Sequence, residues 1–302
     1  MPAFRSVLLA ADFSESSREA FLLACSLAHE QKTRLVVLHV VERMPIVEQA
    51  VAFGDAGEVV PLEGGQPHHD ALRERLVELY APSHPIDVSY VVRDGDPAGE
   101  VLRLAHDVGA DLIVMGTHGR TGLRRLLAGS VAESVLRKAG HAVLALRGAE
   151  QPGRSVSIGT IVHPVELEEP SEVALSAARS LAREQGARLV LVYVAPLDLM
   201  LNPRGTLFLD LEDYERALEA IRARTDGPDL KYPVEARLER GAPAGEILRV
   251  ARETGCDLIV MGTHGRSGLS RFLAGSVAEA VLRGSHCPVL AVKEAASVVA
   301  EA

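Results

Sequence analysis

The sequence predicts an α/β protein built from two similar doubly wound parallel five-stranded sheets flanked by helices. Short, nearly continuous apolar runs alternate with amphipathic segments along the chain, and this order of segments occurs twice. Such apolar runs are typical of parallel strands that are covered on both faces. Strands that alternate with helices favour a doubly wound sheet.

The repeat is clearest around residues 111–137, which align without a gap with residues 257–283 and are identical at 23 of 27 positions. The copies are 146 residues apart, far more than the period of a solenoid repeat, so each copy is a whole domain. We expect domains at residues 1–148 and 155–296, because the stretch between them is polar and contains glycine and proline.

Apolar patterning predicts the elements of each half in order. In the first half we expect strands at 4–11, 34–41, 86–92, 112–115 and 142–146, helices ending near 30 and spanning 69–80, 97–108 and 130–138, and a long loop over 42–67. In the second half we expect strands at 160–165, 189–194, 234–238, 258–261 and 289–292, and helices from 171, near 211–224, from 243 and from 276. The strand at 86–92 alternates between apolar and polar residues, which predicts partial exposure.

Composition limits the partners and the compartment. The formal net charge of −9 argues against nucleic acid or an anionic membrane as the main partner. No apolar run approaches the roughly 20 residues of a membrane span, and the start of the chain does not resemble a signal peptide. Three cysteines without a CxxC pair predict neither a disulfide framework nor a zinc site. We therefore expect a cytoplasmic protein.

A glycine loop is the candidate binding motif of each half. It follows a predicted strand, has the pattern Gly-x-x-Gly, nine residues, Gly-Ser, and ends where a helix begins. Glycine lets backbone N–H groups approach an anion, and a helix start adds unpaired N–H groups and a positive dipole end. The motif predicts binding of nucleotide phosphates in both halves, through Gly116, Gly119, Gly129 and Ser130 and through Gly262, Gly265, Gly275 and Ser276.

A doubly wound sheet binds ligands beyond the carboxyl ends of its strands, where the strand order reverses. If the order is 3-2-1-4-5, the reversal lies between the first strand, which ends at Asp12, and the fourth, which ends at Gly116. The end of the second strand, at Val40, would lie beside them. Two distant stretches would thus face one crevice.

The doubled glycine pattern, together with Asp12-Phe-Ser-Glu15 after the first strand, resembles the universal stress protein family in its tandem two-domain form. The resemblance implies the strand order 3-2-1-4-5, binding of ATP with or without Mg²⁺, and a role as a stress sensor or regulator rather than an efficient enzyme. It also implies dimerisation, often through the last strands, and we expect the two halves to pair about a pseudo-two-fold axis as a homodimer of single domains would. A further homodimer and a regulatory protein partner are left open.

The resemblance also implies roles for individual residues. Asp12 would meet the ribose or the adenine edge, the backbone at Val40 the adenine, and Met115 the base. The full set of implied nucleotide-binding positions is Asp12, Val40, Met115, Gly116, Gly119, Arg120, Gly129, Ser130, Val131, Val194, Met261, Gly262, Gly265, Arg266, Gly275, Ser276 and Val277. Glu166 stands where Asp12 stands in the first half, and its longer side chain predicts weaker binding or a different pose in the second site.

Structural explanations compete with these roles. Ser130 and Ser276 each begin a Ser-x-x-Glu capping box, and Asp12 can cap the first helix, with Ser14 or Ser16 as rivals. The glycine loops can be tight connections, and Arg120 and Arg266 can be solvated. The loop histidines His118 and His264 are explained as turn residues. The pair His68-His69 has too few neighbouring ligands for a metal site. Cys256 and Cys287 precede neighbouring predicted strands and are explained as small buried thiols.

Three functions remain open at this point. The first is a nucleotide-binding regulator. The second is a nucleotide hydrolase, which would be slow, because no Walker Lys-Ser/Thr pair and no nucleophile–base pair is present and no catalytic residue can be named. The third is a scaffold whose glycine loops are only structural.

Overall fold

The computed structural model describes residues 4–42, 66–117, 130–146, 158–166, 171–195, 233–263 and 276–293, together with residues 215, 219 and 223. In the first half the elements are β1 (Ser6–Ala10), α1 (Glu15–Gln31), β2 (Arg34–Val41), α2 (Gln66–Leu79), β3 (Val88–Asp94), α3 (Pro97–Asp107), β4 (Leu112–Gly116), α4 (Ser130–Lys138) and β5 (Ala142–Leu146). In the second half they are β6 (Thr160–Pro164), α5 (Glu172–Gln185), β7 (Arg188–Ala195), β8 (Val234–Arg240), α6 (Pro243–Glu253), β9 (Leu258–Gly262), α7 (Ser276–Gly284) and β10 (Val289–Val292).

The strands form one sheet in the order β3-β2-β1-β4-β5-β10-β9-β6-β7-β8. Each half therefore has the order 3-2-1-4-5, and all pairs within a half are parallel. The predicted fold class and strand order are confirmed. The two predicted sheets are continuous with each other, because β5 pairs antiparallel with β10.

Helices cover both faces of the sheet. Alternate residues of each strand point to opposite faces, so Val7 and Leu9 contribute to one apolar cluster and Leu8 to the other. The first cluster includes side chains from α1, α2 and α5, and the second includes side chains from α3, α4, α6 and α7. β3 is half-buried along its length, as its alternating sequence predicts, because it lies at an end of the sheet.

Matching aspartates hold the amino-terminal edge of the sheet in each half. The N–H of Asp111 donates to the Ser6 carbonyl, and the N–H of Asp257 donates to the Thr160 carbonyl, both at 2.9 Å. The Asp257 carboxylate also accepts the N–H groups of Gly159 and Thr160 at 2.9 Å. The aspartate before each Leu-Ile-Val-Met strand thus fixes that strand against its neighbour.

The two halves also meet outside the sheet. Arg283 on α7 donates to the Glu133 carboxylate on α4 at 2.6 Å, and Lys293 donates to the Arg137 carbonyl at 3.1 Å. Glu133 is the acidic residue of the predicted capping box. In the structure its carboxylate accepts this hydrogen bond from the other half. Pairing through β5 and β10 together with these contacts joins the halves.

Some predicted elements differ at their ends or lie outside the described residues. Helix α2 begins at Gln66, within the end of the predicted 42–67 loop, and α5 begins at Glu172 after Ser171 as its N-cap. Residues 43–65 of the predicted loop are outside the described part. The same is true of the predicted helix near 211–224, except for residues 215, 219 and 223, which are helical.

Candidate functional site

The carboxyl ends of β1 and β4 meet where the strand order of the first half reverses. Ala10 of β1 is the register partner of Met115 of β4, so Gly116, the last residue of β4, and Asp12, two residues beyond β1, lie at adjacent strand ends. Val40 lies near the carboxyl end of β2, the strand on the other side of β1. The predicted crevice residues Asp12, Gly116 and Val40 therefore share one edge of the sheet.

Most of each glycine loop is outside the described residues. This applies to Gly119, Arg120, Gly129, Gly265, Arg266 and Gly275, so their predicted contacts with phosphates stay predictions. Ser130 and Ser276 are the first residues of α4 and α7, and each helix has nine residues. In both halves a strand end and a helix start thus flank the glycine motif in the predicted order.

Asp12 organises the turn that leads from β1 into α1. Its Oδ1 accepts the N–H of Ser14 at 2.9 Å, and its own N–H donates to Ser17 Oγ at 3.3 Å. The N-cap of α1 is Ser14, whose hydroxyl accepts the N–H of Ser17 at 3.2 Å. The alternative in which Asp12 caps the helix is therefore wrong, since the rival Ser14 does so.

An aromatic cluster that the sequence analysis missed supports this turn. Phe13 has a positive φ of 63°, which is unusual for a bulky residue. Its N–H donates to the Tyr80 hydroxyl at 3.2 Å, and its ring lies 4.4 Å from the ring of His39 and 4.5 Å from the Arg75 guanidinium. The Tyr80 hydroxyl also contacts Ser17 Oγ at 2.8 Å. These contacts fix the residues that flank Asp12.

The second half has a cleft at the equivalent edge. It is lined by His163, Pro164, Val165, Glu166, Ser171, Leu175 and Gly262. Glu166 and Gly262, the counterparts of Asp12 and Gly116, thus line the same cleft. Ser171, the N-cap of α5, aligns in the repeat with Ser17 rather than with Ser14, so the first helix of this half begins three residues later.

His163 replaces a backbone group at the end of β6. Pro164 has no N–H to donate to the adjacent strand. The carbonyl of Val260 on β9 accepts instead from Nδ1 of the His163 ring at 2.8 Å. Burial, assisted by the charge of Arg179, lowers the pKa of His163 to about 4, so the ring is neutral at pH 7. The first half has Leu9 and Ala10 at these two positions.

Gly116 and Gly262 have a structural reason to be glycine. A Cβ on Gly116 would lie 2.5 Å from Ser16 Oγ and 2.9 Å from the Ser16 carbonyl carbon. A Cβ on Gly262 would lie 2.7 Å from Ser171 Cβ. In each half the strand end therefore approaches the start of the first helix closely, and this brings together the two sides of the predicted crevice.

The remaining predicted contact residues lie around the same edge. Met115 and Met261 are only 3% and 5% exposed and belong to the core against α3, α4, α6 and α7. Val40, Val131, Val194 and Val277 are partly buried and pack against that same core. Contact of these six residues with a base or phosphate stays a prediction.

Among the described residues, no group of three or more His, Cys, Asp or Glu side chains could hold a metal ion. His69, whose sequence neighbours are too few for a metal site, contacts Asp94 through Nε2 at 3.1 Å. In the same described part of the chain, no helix is long and apolar enough to cross a membrane.

The fold and the duplicated edge define a tandem doubly wound α/β protein with one candidate site in each half. The family model of the universal stress protein family matches residues 3–147 and 157–293. The chain therefore belongs to the universal stress protein family.

Relatives and solved structures agree with this assignment. A universal stress protein of Mycolicibacterium smegmatis is 27% identical over 292 residues, which are 95% of this chain and 96% of that protein. One from Methanocaldococcus jannaschii is 38% identical over 133 residues, covering 41% of this chain and 77% of the relative.

Among solved structures, a universal stress protein of Archaeoglobus fulgidus has a TM-score of 0.65 at 21% identity, with 96% of both chains covered. A Pseudomonas aeruginosa protein of unknown function has a TM-score of 0.67 at 20% identity, covering 97% of this chain and 94% of that one. At these identities the likeness concerns the fold.

Proposed function

We propose that the protein binds ATP at the carboxyl edge of each half and acts as a nucleotide-dependent regulator in a stress response. The observation that carries the proposal is that Asp12, two residues beyond β1, and Gly116, the last residue of β4, lie at adjacent strand ends where the strand order reverses. Ligands of doubly wound sheets bind at this point. The helix start at Ser130 follows on the chain and offers N–H groups to phosphate.

The second half supports a second, weaker site. Its cleft brings Glu166, Ser171 and Gly262 together, which corresponds to the first-half edge. The longer side chain of Glu166 and the later start of α5 both change the side of the cleft that would face a ribose. We therefore propose that the site in the first half is occupied at a lower ATP concentration than the site in the second half.

We further propose that ATP hydrolysis, where it occurs, is slow. In the second-half cleft, His163 donates to the Val260 carbonyl and is kept neutral by burial, so it serves as a structural donor. His118 belongs to the glycine loop and stays a turn residue in this proposal. Mg²⁺, if it accompanies ATP, would bind mainly through the phosphates. A cytoplasmic location and a regulatory protein partner are parts of the same proposal.

Thermal unfolding with and without nucleotide tests binding. ATP with Mg²⁺ should raise the unfolding midpoint, because a ligand of the folded state stabilises it by mass action. Gly129→Val should reduce the shift strongly and Gly275→Val weakly. Absence of any shift with ATP, ADP and AMP would leave the scaffold function. Rapid stoichiometric phosphate release in a single-turnover assay would instead establish a hydrolase.

A further inference from the structure

Two cysteine side chains are in contact at the amino-terminal edge of the second half, away from the nucleotide cleft. The Sγ atoms of Cys256 and Cys287 are 3.9 Å apart, and both residues carry free thiols. Cys256 comes just before β9 and Cys287 just before β10. They are 4% and 6% exposed, so the pair lies beneath the surface rather than in solvent.

The backbone geometry suits a covalent bond between them. Val289 of β10 is the register partner of Ile259 of β9, so Cys287 comes level with Asp257, the neighbour of Cys256. Adjacent strands are about 4.8 Å apart and successive residues about 3.3 Å, so the diagonal between the two α-carbons is about 5.8 Å, within the roughly 4.4–6.8 Å that disulfides span. Side-chain rotation can therefore close the gap between the sulfurs.

The surroundings distinguish the two thiols. The hydrogen bond with Cys256 lowers the pKa of Cys287 against the opposing effect of burial, and Ser285, whose Oγ lies 3.5 Å from Cys287 Sγ, lowers it further. The contact with Cys287 and burial raise the pKa of Cys256 above its ordinary value. Cys287 also follows the exposed residue His286 in the turn between α7 and β10, so local opening of this turn admits a small oxidant.

Packing alone does not require this pair. The first half has Ala110 and His141 at the equivalent positions. The N–H of Ala110 donates to the Ala105 carbonyl at 2.8 Å, just as the N–H of Cys256 donates to the Ala251 carbonyl at 2.8 Å. The same backbone is therefore built without a thiol in the first half, and two thiols in contact are a specific property of the second.

We propose that Cys256 and Cys287 form an oxidation site, at which a peroxide converts the two thiols into an intrachain disulfide. The Cys287 thiolate attacks one peroxide oxygen, breaks the O–O bond and becomes a sulfenic acid, with hydroxide as the leaving group that takes up a proton. The Cys256 thiol then attacks this sulfur, forms the S–S bond and releases water. In total two thiols and one hydrogen peroxide give one disulfide and two waters.

The bond would enclose the segment that carries the second glycine loop. This segment runs from Cys256 to Cys287 and includes β9, residues 264–275 and α7. A cross-link that closes a loop restricts the unfolded chain, so the oxidised protein should unfold at a higher temperature. The oxidised state therefore stabilises the half whose site we propose to be the weaker one.

Peptide mapping by mass spectrometry tests the proposal on the full-length reduced protein. The protein is treated with increasing hydrogen peroxide, the remaining thiols are blocked with N-ethylmaleimide, and the peptides are analysed before and after dithiothreitol. We expect one cross-linked peptide pair containing Cys256 and Cys287, two hydrogens lighter than the free peptides and lost on reduction. The control Cys25→Ser should form it to the same extent.

Single-residue variants provide a second test of the proposal. Cys256→Ser and Cys287→Ala should each abolish the cross-link, and Cys256→Ser, which keeps a hydroxyl beside Cys287, should leave Cys287 as a trapped sulfenic or sulfinic acid. The wild-type result stands even if a variant is unstable. The proposal is overturned if Cys256 and Cys287 both remain thiols while Cys25 is oxidised, or if disulfides between chains predominate over the Cys256–Cys287 bond.

Discussion

The Nδ1 atom of His163 lies 2.8 Å from the carbonyl oxygen of Val260 and takes over the role of the N–H group that Pro164 lacks. Since a carbonyl can only accept, the ring carries its proton on Nδ1. The pair Leu9 and Ala10 occupies the same place in the first half, where Ala10 retains its N–H. His163 and Pro164 thus form a unit in which one residue compensates for the other.

This compensation predicts a non-additive effect on stability. His163→Leu leaves the buried Val260 carbonyl without its donor and should lower the free energy of unfolding by about 1–3 kcal/mol. The double variant His163→Leu/Pro164→Ala copies the first half and supplies a backbone donor, so it should recover most of that loss. Urea unfolding measures both, and a double variant as unstable as the single one would contradict this role.

The same ring predicts a pH dependence of stability. The pKa of His163 is about 4 in the folded protein and near its ordinary value of about 6.5 when unfolded. Between these values the unfolded chain binds a proton that the folded chain does not, so stability falls as the pH drops from about 6.5 to 4. The contribution lost is about 3 kcal/mol. The double variant should lack this component when urea unfolding is compared across that range, and an identical pH profile in both proteins would refute the assignment.

The close approach of strand and helix predicts that Gly116 and Gly262 resist substitution. Gly116→Ala should destabilise the protein by about 1–3 kcal/mol, because the new methyl group meets the backbone of Ser16. Gly262→Ala should have a similar effect, because the new methyl group meets Ser171 Cβ, whose position is fixed by the backbone. Gly140→Ala is the matched control, since a Cβ there would have no neighbour within 4 Å. Equal stability of all three variants in urea would contradict the contact.

Helix caps offer a second comparison between the halves. Asp96 and Ala242 are the N-caps of α3 and α6 and share nearly the same φ and ψ. Only Asp96 caps with its side chain, accepting the N–H of Gly99 at 2.7 Å. Ala242→Asp should therefore stabilise the protein by about 1 kcal/mol and Asp96→Ala should destabilise it by a similar amount. If both changes had the same sign in chemical denaturation, the cap would not explain the difference.

The fold was accessible from the sequence because it rests on local patterns and on a repeat. Apolar runs marked β1, β4 and their counterparts, and the resemblance supplied the strand order that periodicity could not. The contacts that fix the site are long-range: Tyr80 reaches Phe13 across 67 positions, and His163 reaches Val260 across 97. No local pattern predicts such contacts, although the paired change from Leu9-Ala10 to His163-Pro164 was a visible signal in the repeat.

The identity of the N-cap residue of α1 also depends on local backbone geometry, which the residue types alone do not predict. Asp12, Ser14 and Ser16 are all acceptable N-cap residues by type. The structure selects Ser14, because Asp12 turns its carboxylate onto the Ser14 N–H. Asp12 is thus held in place at the carboxyl edge of the sheet, where we propose that it contacts the ligand.

The most direct test of the account is a calorimetric titration of ATP with Mg²⁺ into the nucleotide-stripped protein, read for stoichiometry. We predict two sites per chain, a tighter one in the first half and a weaker one in the second. Asp12→Asn retains an acceptor for the Ser14 N–H and should weaken only the tighter site, whereas Glu166→Asp should strengthen only the weaker one. Absence of heat with ATP, or binding that neither variant changes, would contradict the claim that these two strand ends hold the nucleotide.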